Sequence, residues 1–168
     1  SSRKSTTPTG PLDTAKIARI VGHTGEQNGP VYKITIGRDD LKVREMGARI
    51  NARMGLNTWA AFIGTNENAA IAGDVAMLEG EVTPVLKALR QHGLEVVAIH
   101  HHMTGSRPVI IFLHYWGRGP AEKLATGFRT ALDELGGGAR NGTLTQESKH
   151  FGLGGASGNW KRQEVNQQ

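Results

Sequence analysis

The chain has no cysteine among its 168 residues. Disulfides, thiolate nucleophiles and zinc–thiolate centres are thereby excluded. Any metal must be held by His, Asp, Glu, Met or backbone oxygen. A cysteine-free chain fits cytoplasm and periplasm alike, so this absence leaves the compartment open. Aromatic residues are scarce, at 5 %, and no run of them alternates with Lys or Arg as a nucleic-acid stacking platform requires. No apolar run approaches the ~18 residues that a membrane span needs, so no integral membrane segment is expected. There is no nucleophile elbow, P-loop or dinucleotide fingerprint. Gly152-Leu153-Gly154-Gly155 follows no apolar strand and is not read as a phosphate cradle.

What is present suits one small core. Hydrophobic residues make up 38 %, enough for one modest interior. The net charge is +5, but Arg3, Lys4, Lys16, Arg19, Arg38, Lys42 and Arg44 are scattered, with acids among them. Nucleic acid is therefore not expected as a partner. The chain begins with Ser1, read as processing or trimming, with loss of a secretory signal as one origin. Homo-oligomerisation stays open.

Periodicity supplies the elements. Residues 1–11 are Ser/Thr/Pro-rich and read as a flexible arm. Asp13 can cap a short helix with Ile17, Ile20 and Val21 on one face, ended by Gly22. Residues 23–30 carry turn formers and read as a loop. Val31 to Ile36 alternates as a strand, and a tight turn at Met46-Gly47 joins two short extended pieces. Thr58 to Ile63 and Ala69 to Met77 read as a hairpin around Gly64–Asn68. Glu79 to His92 reads as a helix with Val82, Val85, Leu86 and Leu89 at helical spacing. Leu94 to Met103 and Val109 to Tyr115 read as a second hairpin, and Pro120 to Leu135 as the last helix. From residue 57 the order is β-β-α-β-β-α. The expected class is α+β, an antiparallel sheet of hairpins with helices on one face. One domain over 12–135 is expected, followed by a Gly-rich tail over 136–168 in which His150 could reach back only if the tail folds over the domain.

The chemistry concentrates in four histidines, His100, His101, His102 and His114. Strand side chains alternate faces, so His100 and His102 point together and His101 points opposite. The third member depends on register. Pairing of 100 with 112 or 114 puts His114 beside His100 and His102, together with Ile110 and Phe112. It sends Val109, Ile111 and Leu113 to the other face with Ile99 and Val97. A register shifted by one puts His114 with His101 instead. The first register is favoured because it gives a three-ligand site. Three imidazoles with an open position suit Zn(II) or Cu(II), one ion per domain. Nearby, Asp74, Glu79 and Glu81 bracket the turn that leads into the helix before the histidine strand. Each could complete the shell, orient an imidazole or act as general base, and Glu79 and Glu81 are the candidate catalytic residues. At a helix start both also favour the dipole without any catalysis. Trp59, Tyr115 and Trp116 could wall a pocket or belong to the core.

Several segments look familiar together: Gly29 to Ile34, Arg38 with Asp40-Leu41, Trp59 to Phe62, Ala72-Gly73-Asp74, Glu81-Val82 with Pro84-Val85, His100-x-His102-Met103, Arg107-Pro108, and His114-Tyr115-Trp116-Gly117. Over about residues 12–135 the chain resembles the LppY/LpqO family. That resemblance implies a bacterial, commonly exported or lipid-anchored protein, so a periplasmic or secreted location is expected. It marks His100, His102 and His114 as matching the family's histidines. Two departures stand out: His101 where relatives often have Asn, and Ser106 where they often have an acid before Arg-Pro.

Three functional readings follow. The first is a metal-dependent hydrolase or oxidase. The second is a non-catalytic metal carrier or sensor of the cell envelope. The third is an interaction module in which the histidines are incidental.

Overall fold

The structure, a computed structural model, describes residues 10–137. Residues 138–168 of the proposed tail, His150 among them, and residues 1–9 of the proposed arm lie outside them.

Helix α1 (Thr14–Val21) starts where the Asp13 carboxylate accepts the Lys16 amide at 2.9 Å. It stops at Gly22, whose φ of 77° is open to glycine at little cost. The strands are β1 (Glu26–Asn28), β2 (Val31–Gly37), β3 (Arg44–Glu45), β4 (Ala48–Arg49), β5 (Asn57–Gly64), β6 (Ala69–Met77), β7 (Glu95–His100) and β8 (Ile111–Gly119). Helix α2 (Val82–Gln91) lies between β6 and β7, and α3 (Ala121–Asp133) follows β8. Six strands form one antiparallel sheet in the order β1-β2-β5-β6-β8-β7, and β3 and β4 form a separate hairpin. Its turn is Met46-Gly47, both at positive φ, as a two-residue hairpin of matching twist demands.

The α+β class and the β-β-α-β-β-α order agree with the sequence pattern. The inward halves of the alternating strands (Ile34; Ala60 and Phe62; Ile71 and Val75; Leu113 and Tyr115) meet Ile17, Val21, Val85, Leu89, Leu124 and Phe128 of the three helices in one core. The opposite face carries a smaller cluster. There Val43, Ile50 and Leu56, from the segment between β2 and β5, close over Ala76, Ile110 and Phe112.

Several details differ from expectation. Glu26–Asn28, read as loop, is an edge strand held by main-chain pairing to β2, which polar side chains do not advertise. Residues Glu79–Glu81 form a 3-10 turn ahead of α2 rather than its first α turn. Strand β7 ends at His100, short of Met103, and β8 runs from Ile111 to Gly119. A bulge also interrupts β7: Val96 pairs with Tyr115 and Ala98 with His114, leaving Val97 without a partner. Val97, expected beside Ile99 on the face opposite His100, is 62 % exposed. Val96 takes the inward position instead.

An ion cluster centred on Arg38 ties the segment after β2 to the end of β6 and the turn before α2. The Arg38 guanidinium, 4 % exposed, donates to both oxygens of Asp40 and of Glu81 and to the Ala76 carbonyl. Burial opposes its charge, but the bonds and charges of the two carboxylates outweigh burial and hold it protonated more firmly than a free guanidinium.

Candidate metal centre

Strand pairing places the histidines. Across the face away from the helices, Trp59 on β5 pairs with Asp74 on β6, Asp74 with His114 on β8, and His114 with Ala98 on β7. One step along, Ala76, Phe112 and His100 form the next row. The pairing of 100 with 112 is the register that brings His114 to the side of His100. Paired residues on adjacent strands share a face, so both rings stand on it.

His102 reaches the group by another route. It lies two residues past the end of β7, on the connection to β8, so strand alternation does not hold it. Its ring lies against Phe112, with centroids 3.6 Å apart. The His100 ring is then 5.0 Å from that of His102 and 4.8 Å from that of His114.

The nitrogens converge. His100 Nε2 and His114 Nε2 are 2.8 Å apart. His100 Nδ1 turns to the His101 carbonyl at 3.3 Å, and His114 Nδ1 faces Asp74 Oδ1 at 3.7 Å. One nitrogen from each of His100, His102 and His114 lies within 4.8 Å of the others, so the three could hold a metal ion. Nitrogens ~2.0–2.1 Å from a tetrahedral ion stand about 3.3 Å apart. The His100–His114 pair is already inside that spacing, and His102 has the remaining distance to close. His100 and His102 are exposed and His114 is half-buried, so the group faces solvent.

Burial sets the electrostatics. It pushes the Asp74 carboxyl above its usual range, against the pull of His114, His102 and His100. Burial likewise lowers His102, with His100 and His114 adding to the effect and Asp74 opposing it. A neutral imidazole offers its lone pair as a ligand without first losing a proton. On the reverse of the sheet Tyr115 is pushed well up by burial, and its hydroxyl donates to the Trp59 carbonyl at 3.2 Å.

The other candidates are not members of the three-histidine group. Glu79 is exposed in the 3-10 turn. Glu81 accepts from Arg38, from the Leu78 amide at 2.8 Å and from the Gly136 amide at 2.8 Å. Those bonds hold its carboxyl low, although burial pushes the other way. His101 is exposed and outside the group, and His92 Nδ1 is bonded to the Ala88 carbonyl at 2.9 Å. Trp59 is half-buried and Trp116 is 45 % exposed on the histidine face, whereas Tyr115 is core.

Two contributors escape a reading of the sequence. The support Phe112 gives His102 has only a faint signal, its place two residues before His114. The pairing of Arg38 with Glu81 joins residues 43 apart and has none.

A family profile described as a Domain of Unknown Function (DUF1259) matches residues 15–134. The chain belongs to that family. The DUF1259 match spans His100, His102, His114 and Asp74, and its description carries no activity. No curated protein and no solved structure matches the chain.

Proposed function

We propose that this DUF1259 domain binds one transition-metal ion, Zn(II) or Cu(II), through His100, His102 and His114. The observation that carries the reading is the facing of two Nε2 atoms at 2.8 Å with a third imidazole alongside. An all-imidazole set suits zinc and copper, and Fe(II) less, since that ion usually takes a carboxylate as well. Three protein ligands leave a coordination position open on the solvent side. An ion held there supplies Lewis-acid activation of water in the zinc case and redox chemistry in the copper case. A metal-dependent hydrolase or oxidase is the activity we place first, with Glu79 and Glu81 as candidate bases. A non-catalytic carrier or sensor is the second reading, favoured by the exposure of His100 and His102. A place among LppY/LpqO proteins and a periplasmic or secreted location belong to the same proposal, supported by the sequence resemblance.

The test is elemental analysis and metal titration of protein purified without an affinity tag. Stoichiometric zinc or copper is expected in the wild type, and loss of it in His100→Ala and His102→Ala. Metal content unchanged in both variants would falsify the assignment.

A further inference from the structure

We infer that Asp74 is the positioning residue of this centre: its carboxylate holds the His114 proton on Nδ1 and so delivers the Nε2 lone pair toward the ion. The inference rests on the metal reading above, but its geometry stands without an ion. Asp74 is 5 % exposed. A carboxylate so deep is costly unless a charge or donor answers it. Its Oδ1 has no hydrogen-bond partner among the described residues. Facing the carboxylate are the neighbouring Val75 amide and, from the adjacent strand, His114 Nδ1, which lies 3.7 Å from Oδ1.

Register makes the placement rigid. Asp74 is on β6, an inner strand, paired with Trp59 on one side and with His114 on the other. It is not a helix cap, and it forms no ion pair with Lys or Arg among the described residues. His100 shows the same arrangement with a neutral acceptor: its Nδ1 turns to the His101 carbonyl. With an ion bound, both imidazoles would keep an acceptor behind Nδ1 and turn Nε2 forward, the arrangement in which outer partners fix tautomer and ring direction at histidine metal sites; without one, the 2.8 Å contact between the two Nε2 atoms needs a hydrogen on one of them, and Nδ1–H on His114 assigns it to His100.

Two measurements separate this role from a merely structural one. Long-range 1H–15N spectra of the metal-free protein report which nitrogen of neutral His114 carries hydrogen. Nδ1–H is expected to predominate in the wild type, and Nε2–H to gain in Asp74→Ala. Zinc titration is expected to show affinity lower by ~10–100-fold in Asp74→Ala, with Asp74→Asn between, since an amide oxygen still accepts from Nδ1–H. Asp74→Asn, nearly isosteric, carries both measurements if the alanine variant does not fold. An unchanged tautomer overturns the inference, whatever happens to affinity. Should the wild type bind no metal, the functional reading fails while the tautomer still decides the part played by Asp74.

Discussion

The imidazole of His102 lies flat on the ring of Phe112, with the two planes 6° from parallel. His102 is beyond its strand, so this ring contact does for it what hydrogen-bonded pairing does for His100 and His114. Phe112 is itself fixed from below by Val43, Ile50 and Ile110. The segment between β2 and β5, remote in sequence, is therefore part of the support of the centre.

Phe112→Leu keeps an apolar floor but removes the flat surface. Zinc affinity should fall while the fold survives. Phe112→Ala should cost about 3–5 kcal/mol in stability as well, as expected for truncating a fully buried aromatic side chain. Paired urea denaturation and metal titration separate the two effects. Full wild-type affinity in the leucine variant would show that His102 is placed by something else.

His101 supplies the internal control. It is exposed and stands outside the ligand group. His101→Ala should leave zinc affinity within error of the wild type. His114→Ala should weaken binding by more than the ~10–100-fold typical of an outer partner. Isothermal titration of both variants is sufficient, and equal losses would reject the face assignment.

The Arg38 cluster predicts an acid limit of stability. The Arg38 bond holds Asp40 below its ordinary value of 3.8, and Glu81 is held below its ordinary 4.5. Groups lowered by folding stabilise the native state above their unfolded values, and that contribution is lost as pH falls through the folded ones. Urea midpoints should therefore decline below about pH 4.5 in the wild type, by this linkage. Glu81→Gln should start lower, by about 3–5 kcal/mol if the buried pair behaves as such pairs do when one partner is removed. It should also decline less steeply with acid, and a parallel decline would remove Glu81 from the account.

Gly73 tests the packing beneath the site. A Cβ there would overlap the Tyr115 ring and come within 2.5 Å of the Trp59 carbonyl oxygen. Both are held by the Tyr115–Trp59 hydrogen bond. Gly73→Ala should cost about 1–3 kcal/mol as an overpacked interior and should disturb the neighbouring Asp74. Thermal unfolding reads the first effect, and the His114 tautomer reads the second.

The strands that face a core on one side were legible in the sequence. Val31 to Ile36 alternates, and its burial follows the alternation, as it does along Asn57 to Phe62, whereas in β6 every residue from Gly73 to Met77 is buried. The pairing of residue 100 with 112 was also within reach, because a shift by one would have split the histidines. What escaped was set by tertiary contact. The bulge at Val97 gives no local sign, since a β-branched residue there looks like any other strand position. Strand β1 is polar throughout and exists only because β2 offers it an edge. His102 was assigned to the right face for an incomplete reason: alternation pointed to it, but contact with Phe112 puts it there.

Strand β7 is one of the two edges of the sheet, bonded on one side only. It carries His100 and leads into the turn that bears His102, whereas His114 and Asp74 sit on strands flanked on both sides. Rims of sheets open at lower free energy than their interiors. Two of the three proposed ligands are thus hinged and one is anchored. Capture and release of an ion can proceed by fraying at that border, with the anchored histidine and its carboxylate waiting in place and the interior of the molecule undisturbed.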